Sequence, residues 1–201
     1  MTTKNISSAQ DLYQIKVTLL WTKPPIWRRL LVPSSMTFEQ LHYALQTAMG
    51  WDNSHMHEFS VGKRRIGQPE TSGGFDGFMD MPPVGDESTV RLCDVLKRAG
   101  AKMTYTYDFG DSWEHSILLE KRLPPDQDTV YPICLDGQLA CPPEDCGGVP
   151  GFYRLLDILA DPNHEEHDEM REWVGSKYDP EAFSVDKVNR LLSPRRRPRK
   201  K

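Results

Sequence analysis

The sequence predicts an α+β fold in which a mixed or antiparallel sheet of hairpins packs on helices and is followed by a helical C-terminal subdomain. Two observations support this class. Apolar residues alternate with polar ones in several short segments of the first 120 residues, which is the period of a half-buried strand. After residue 151 the spacing of apolar residues becomes helical.

A hairpin is predicted at the start of the chain. Residues 13–21 alternate between apolar and polar types, so one face of this strand is expected to be buried. Pro24 and Pro25 exclude a helix and indicate a turn. The segment IWRRLLV that follows them is therefore predicted to return as a second strand.

The first helix is marked at both ends. Thr37 is a candidate N-cap, Gln40 completes a capping box, and Gly50 ends the helix. Its apolar stripe is expected to lie on the sheet and consists of Phe38, Leu41, Leu45 and Met49. The alternating residues His55, His57, Phe59 and Val61 predict a third strand, with a short return through residues 65 and 66.

The middle of the chain is predicted to hold a long loop and a second hairpin. Residues 67–88 contain five glycines and three prolines without periodicity, and a loop of this length is expected to pack over a face of the sheet. Leu92, Val95 and Leu96 predict a short helix that ends near Gly100. Residues 103–109 and 113–119 alternate around a turn at Gly110, so they are predicted to pair.

The last third is predicted to contain a cysteine loop at residues 131–150 and helices over residues 151–193. Asp161 and Asp179, each followed by proline, are expected to open the second and third of these helices. The acidic stretch from Asp161 to Glu172 is interpreted as a solvated helix face.

Length and composition indicate a globular protein of the cytoplasm. The 201 residues can bury one sizeable core, so residues 11–193 are predicted to form a single domain. No segment approaches the roughly 18 apolar residues that span a bilayer. Residues 1–10 lack the apolar core of a signal peptide and are expected to be disordered. In a reducing compartment the four cysteines are expected to be thiols or metal ligands.

Charge is distributed unevenly along the chain. Residues 194–201 hold six cations and no anion, so residues 1–193 carry 19 cations against 29 anions. An acidic body repels phosphate backbones, so only this basic tail suits nucleic acid. The tail is predicted to be disordered. It either keeps the chain in solution or contacts nucleic acid weakly. No membrane partner is expected.

Three cysteines of the loop are candidate zinc ligands: Cys134, Cys141 and Cys146. Thiolates suit zinc, and Pro142 and Pro143 restrict the backbone between them. A closed structural site needs a fourth ligand, for which the candidates are Cys93, His115, His164 and His167. The alternative is that the thiols are small buried apolar groups.

Three histidines lie on the apolar parity of predicted strands: His55, His57 and His115. Together with Asp108 and Asp111 at the adjoining turn, they form a candidate metal site or general acid/base pair, since imidazole titrates near neutral pH. The alternative is that they are core histidines bonded to carbonyl or carboxylate groups. No serine-hydrolase, zincin or phosphate-loop motif accompanies them.

Several separate motifs carry a family resemblance. The segments WTKPPIWRRLLVPSSMTFEQLHYALQTAMGWDNSHMHEF, YTYDFGDSWEHSI, CPPEDCGG and DPEAF occur in this order. Through them the chain resembles the plasmid pRiA4b open-reading-frame-three-like family over roughly residues 10–192. The motif positions are Trp27, Arg28, Trp51, His55, His57, Phe59, Tyr107, Asp108, Phe109, Gly110, Asp111, Trp113, His115, Cys134, Cys141, Pro142, Pro143, Glu144, Asp145, Cys146, Gly147 and Gly148.

The resemblance implies an α+β domain found in bacteria and archaea, often near plasmids or mobile elements. It implies no established activity, so it transfers no catalytic residue. Some relatives carry a transposon-resolvase label, but this sequence has no helix-turn-helix with a basic face.

Two functional hypotheses follow. The first is a non-enzymatic binding or accessory module with a structural zinc in its cysteine loop. The second is a metal-dependent hydrolase or nuclease in which the His/Asp cluster holds a metal that activates water. Histidines that line an open cleft favour the enzyme, whereas histidines sealed in the core favour the module.

Overall fold

The computed structural model describes residues 11–69, 84–124 and 129–193. These residues form one eight-stranded sheet and five helices, which confirms the predicted α+β class. In chain order the elements are β1 (Leu12–Leu19), β2 (Trp27–Pro33), α1 (Phe38–Met49), β3 (His57–Val61), β4 (Arg64–Gly67), β5 (Val84–Asp86), α2 (Leu92–Val95), β6 (Lys102–Tyr107), β7 (Trp113–Leu123), β8 (Ile133–Gln138), α3 (Gly148–Ala160), α4 (His167–Val174) and α5 (Val185–Leu192).

The strands lie in the order β5, β4, β3, β6, β7, β1, β2, β8. All neighbouring strands are antiparallel except β4 and β5, so the sheet is mixed. β5 lies inside the region 67–88 that was predicted as a long loop, and residues 70–83 of that region are outside the described residues. The predicted disordered ends at 1–10 and 194–201 are also outside them. None of the described helices is long and apolar enough to cross a membrane.

The predicted first hairpin and helix are confirmed. β1 pairs with β2, and the alternating residues Tyr13, Ile15, Val17 and Leu19 are all buried. Thr37 Oγ1 accepts from Gln40 N at 3.2 Å, and Thr37 N donates to Gln40 Oε1 at 3.1 Å. Gly50 ends α1 in the left-handed region, and the apolar stripe of α1 joins the core on the sheet.

The second hairpin, β6 and β7, is also confirmed, and it lies in the middle of the sheet. Tyr107, Trp113 and Ile117 are buried in the same hydrophobic cluster as Phe38 and Leu41 of α1. The core of the molecule therefore lies between this face of the sheet and α1.

Three residues predicted to belong to strands lie outside them. Trp21 follows β1, has a φ of 67° and is 72% exposed, because the chain turns there. His55 precedes β3, and Phe109 follows β6 with half of its surface exposed. The differences at His55 and Phe109 have one cause. Asp108 adopts a φ of 54°, which turns the chain away after Tyr107, so the pairing of β3 with β6 begins at His57 and Tyr107.

The predicted irregular cysteine loop contains a strand. β8 pairs with β2 and brings Cys134 into the edge of the sheet. The side chain of Asn189 in α5 completes its outer edge: Oδ1 accepts from Cys134 N at 2.7 Å and Nδ2 donates to Cys134 O at 2.9 Å. α5 therefore packs on the sheet.

The C-terminal helices begin at other residues than predicted. Asp161 and Asp179 do not open α4 and α5; each accepts a hydrogen bond from the backbone two residues later and forms a tight turn. Ser184 caps α5 instead. α4 has no buried side chain, which agrees with the predicted solvated acidic face.

Candidate functional site

Three side chains that suit a metal ion meet at one end of the sheet. One ligand atom each of His55, Asp108 and Asp145 lies within 4.8 Å of the others. His55 Nε2 is 3.1 Å from Asp145 Oδ1, and His55 Nδ1 is 3.7 Å from Asp108 Oδ2. Bond lengths of about 2.0–2.2 Å place the ligand atoms of a tetrahedral ion roughly 3.2–3.6 Å apart. The two distances belong to opposite nitrogens of the imidazole, so a bound ion would use one nitrogen and require the other carboxylate to turn toward it.

Asp108 is held in place by the turn between β6 and β7. Its Oδ1 accepts from Gly110 N at 2.9 Å and from Asp111 N at 3.3 Å. These two bonds immobilise the carboxylate and leave Oδ2 on the side of His55. The residue is almost entirely buried, so a cation beside it would be partly shielded from water.

The segment Cys141 to Gly148 brings the second carboxylate to this turn. Gly147 N donates to Asp111 Oδ2 at 3.1 Å. Gly148 has a φ of 67°, and a Cβ atom added there would lie 2.6 Å from Asp111 O. The two backbones can approach this closely only because residue 148 has no side chain. Asp145, three residues earlier, is thereby placed beside His55.

Glu144 lies next to the three ligand residues. Its Oε1 accepts from Asp52 N and from the Tyr107 hydroxyl, each at 3.0 Å. Its Oε2 is buried without a hydrogen bond and lies 3.9 Å from His55 Nε2. Burial raises the pKa of Glu144, and it also raises the pKa of Tyr107 to about 12. Glu144 therefore directs a buried oxygen with no hydrogen-bond partner toward His55.

Five carboxylates are concentrated in this corner of the molecule: Asp52, Asp108, Asp111, Glu144 and Asp145. Within residues 11–69, 84–124 and 129–193, none of them forms an ion pair with lysine or arginine. Burial, followed by the charges of Asp111, Asp145 and Glu144, also raises the pKa of Cys146 to about 12, so its thiol is neutral. The corner is strongly anionic and suited to a cation.

With this geometry established, the comparisons place the chain among known proteins. The sequence profile described as "Plasmid pRiA4b ORF-3-like protein" matches residues 11–187. The chain belongs to this family.

Two relatives of this chain agree with that assignment. "Uncharacterized protein y4hQ" of Sinorhizobium fredii (strain NBRC 101917 / NGR234) is 41% identical over 184 residues, which cover 90% of this chain and 91% of that protein. The crystal structure of the protein of unknown function MM3350 from Methanosarcina mazei Go1 has a TM-score of 0.78 and 36% identity. The matched region covers 89% of this chain and 97% of MM3350, so the two proteins share the pRiA4b ORF-3-like fold.

In this pRiA4b ORF-3-like protein the predicted His/Asp cluster is divided. His55 and Asp108 meet, whereas Asp111 serves the turn as an acceptor for Gly147 N. His57 and His115 are buried away from solvent. The five predicted residues therefore do not form one open site.

The two buried histidines have partners within the core. His57 Nε2 lies 2.6 Å from Glu87 Oε2, and its ring stacks on His42 with centroids 3.4 Å apart. His115 Nδ1 is 3.2 Å from Tyr105 O. Burial lowers the pKa of His42 and of His115 to about 4. These rings match the alternative reading of core histidines.

The predicted zinc ligands face different surroundings. Cys141 Sγ lies 3.4 Å from the buried Arg28 Nη2, and Cys134 Sγ lies 3.5 Å from Asp136 O in β8. Among the described residues, the three cysteines do not form a group of ligand atoms within 4.8 Å. Cys146 instead adjoins the anionic corner. A guanidinium that contacts Cys141 repels a metal ion, so the surroundings of this thiol do not favour the zinc site predicted for the three cysteines, which stays a prediction.

Sequence reasoning missed Asp145 and Glu144 as site residues, although it recognised both as motif positions. They lie between two of the predicted zinc cysteines, in the segment CPPEDCGG. The available signal was the pair of adjacent carboxylates bounded by prolines and glycines, which holds them in a constrained backbone.

Proposed function

We propose that this chain is a divalent-cation-binding module whose metal is held by His55, Asp108 and Asp145. The observation that carries the proposal is the meeting of their three ligand atoms within 4.8 Å, in a corner rich in unpaired carboxylates. One imidazole nitrogen and two carboxylate oxygens suit Zn²⁺ or Mn²⁺, whereas Mg²⁺ prefers oxygen and water throughout.

The proposed site is open on one side. Asp145 retains 70% of its side-chain exposure, so water or a second molecule can reach an ion beside it. Three protein ligands leave at least one coordination position available, unlike a closed structural zinc site. The cysteine loop is thus again proposed to contribute to a metal site, but through the carboxylate of Asp145 and not through its thiols.

Isothermal titration of the full chain with ZnCl₂, MnCl₂ and MgCl₂ tests this site. We expect one bound Zn²⁺ or Mn²⁺ per chain and weaker binding of Mg²⁺. Asp145→Asn should weaken Zn²⁺ binding at least tenfold, because it removes a charged ligand that has no hydrogen bond within the described residues. His55→Gln should have a similar effect.

Asp168→Asn and His167→Gln are the matched controls. These two side chains form another His/Asp contact, at 3.1 Å, on the surface of α4. Both variants should bind Zn²⁺ as the parent chain does. Absence of binding by the parent, or equal affinity of the Asp145→Asn variant in a chain that keeps its circular dichroism spectrum, overturns the proposal.

A second candidate function, a metal-dependent hydrolase, is favoured by Glu144. Its buried Oε2, which has no hydrogen bond, lies beside the proposed ion and can accept a proton from a metal-bound water. In phosphodiester hydrolysis that water oxygen would bond to phosphorus as the bond to the leaving oxygen breaks, and the water proton would pass to Glu144.

Hydrolysis of bis(p-nitrophenyl) phosphate in the presence of Mn²⁺ tests this second function. Glu144→Gln should abolish turnover while the variant still binds Mn²⁺, because the amide cannot accept the proton. Turnover that is unchanged by this substitution excludes Glu144 as the base. If the parent chain binds Mn²⁺ without turnover, the binding module stands alone.

A further inference from the structure

A cavity of about 300 Å³ adjoins the proposed metal site. It lies between α3 and α4, and its lining includes Asp145, Cys146, Leu155, Ile158, Met170 and Trp173. Asp145 belongs both to this lining and to the three ligand residues. The cavity and the proposed metal site therefore adjoin at Asp145.

Most of the cavity wall is apolar. Leu155 and Ile158 form its buried floor, while Trp173 on α4 is about half exposed. Cys146 adds a sulfur atom to this wall. A half-exposed tryptophan above buried aliphatic side chains offers a flat surface for a ring or a branched chain. The volume is at the small end of the range for ligand pockets, which limits the apolar group to about one ring.

A metal ion in the proposed site would offer a coordination position to an anionic oxygen on the polar side of the cavity. A divalent ion offset by Asp108 and Asp145 still has open coordination positions, and an anionic oxygen is a suitable ligand for them. Arg154 at the rim adds a guanidinium, which is paired through Nη2 with Glu166 at 2.6 Å. Without the ion, the carboxylates of the corner repel an anion.

We propose that this cavity binds a small organic anion, with an aromatic or branched apolar group against Trp173 and with its anionic oxygen on the metal beside Asp145. This inference rests on the proposed metal site and names the class of ligand that the site takes. Such an anion is expected to bind together with the metal, because the carboxylates of this corner repel the anion when the metal is absent.

Saturation-transfer NMR and calorimetry of the full chain with benzoate as the probe test this inference. Benzoate should bind the Zn²⁺-loaded chain at least tenfold more tightly than the metal-free chain. Acetate, which has the carboxylate without the ring, should bind at least tenfold more weakly than benzoate. Trp173→Ala and Met170→Ala should each weaken benzoate binding while the affinity for Zn²⁺ stays within about twofold.

Trp21→Ala is the control, since Trp21 is an exposed tryptophan outside the cavity lining, and it should change neither affinity. Normal Zn²⁺ binding with no benzoate binding, or with benzoate binding that is insensitive to both cavity variants, overturns this inference and leaves the metal site intact. Failure of the Zn²⁺ titration overturns the metal site itself. Benzoate binding that does not depend on Zn²⁺ also overturns the coupling proposed here.

Discussion

Two buried imidazoles, His42 and His115, make the stability of the fold depend on pH. Burial lowers the pKa of each to about 4, and the stacked His57 lowers that of His42 further. In the unfolded chain both return to about 6.5. Between these values the unfolded chain binds more protons than the folded one, so the free energy of unfolding decreases as pH falls.

We therefore expect full stability above about pH 6.5 and a loss on the order of 1–2 kcal/mol for each ring by pH 5. Urea denaturation at pH 7.5, 6 and 5 measures this loss. Ordinary carboxylates remain ionised over this range, and Glu144, whose pKa is raised by burial, acts in the opposite direction. His115→Gln should flatten the profile. A free energy of unfolding that is constant from pH 7.5 to 5 contradicts the lowered pKa values of the two histidines.

Trp113 is the largest fully buried side chain of the central hairpin. Replacing it with alanine leaves a cavity in the hydrophobic core beside Trp51, so Trp113→Ala should lower the free energy of unfolding by about 3–5 kcal/mol. Trp21→Ala, at a 72% exposed position, should cost less than about 1 kcal/mol and serves as the control. Urea denaturation distinguishes them. Equal costs for the two variants would show that the packing is misassigned.

Among the elements, α3 depends most directly on close backbone contact. Gly148 begins the helix with a φ of 67°, and a Cβ atom there would lie 2.6 Å from Asp111 O. Gly175 has a similar φ of 82°, but a Cβ atom there meets nothing within 4 Å. Alanine substitutions at these two glycines therefore separate the free-energy cost of the backbone conformation from the cost of the steric clash.

Gly175→Ala should cost about 1–2 kcal/mol, because alanine is strained in the left-handed region. Gly148→Ala should cost about 2–4 kcal/mol, since overpacking adds to that strain. It should also weaken Zn²⁺ binding, because Asp145 is placed by the contact that the new methyl group pushes apart. Thermal denaturation and calorimetry of both variants measure these effects. Equal losses in the two variants contradict the proposed role of the contact.

At the scale of the whole molecule, charge divides the chain into an acidic body and a basic tail. Residues 194–201 carry six of the 25 cations, while all 29 anions precede them. We expect any nucleic-acid binding to be weak, independent of sequence and strongly reduced by salt, because it arises from counterion release. Deletion of residues 195–201 should abolish it and leave the melting temperature nearly unchanged. Binding that survives the deletion would place the contact on the acidic body.

Local signals predicted much of the fold. The alternation in β1, the capping box of α1 and the turn at Gly110 each involve residues close together in the chain, so the sequence shows them directly. The same reasoning grouped His55 with Asp108, and these two side chains meet in the structure. It also placed the motif segments in a family that the comparisons confirm.

Long-range contacts account for the errors. β8 has no clear alternation and exists because it pairs with β2, about 100 residues earlier, and because Asn189 covers its outer edge. The spacing of Cys134 and Cys141 suggests a shared metal site, yet burial raises the pKa of both thiols and the guanidinium of Arg28 contacts Cys141. Neither contact leaves a periodic or spacing signal in the sequence.

The sequence by itself determined the α+β class, the hairpins, the first helix and the family, because hydrophobic periodicity and capping act over a few residues. Only the tertiary structure decided which acidic and imidazole groups meet. His55, Asp108 and Asp145 come from three separate segments, and their contact depends on a left-handed turn at Asp108 and on the absence of a side chain at Gly148. Such a site results from packing between distant backbones, which residue spacing does not encode.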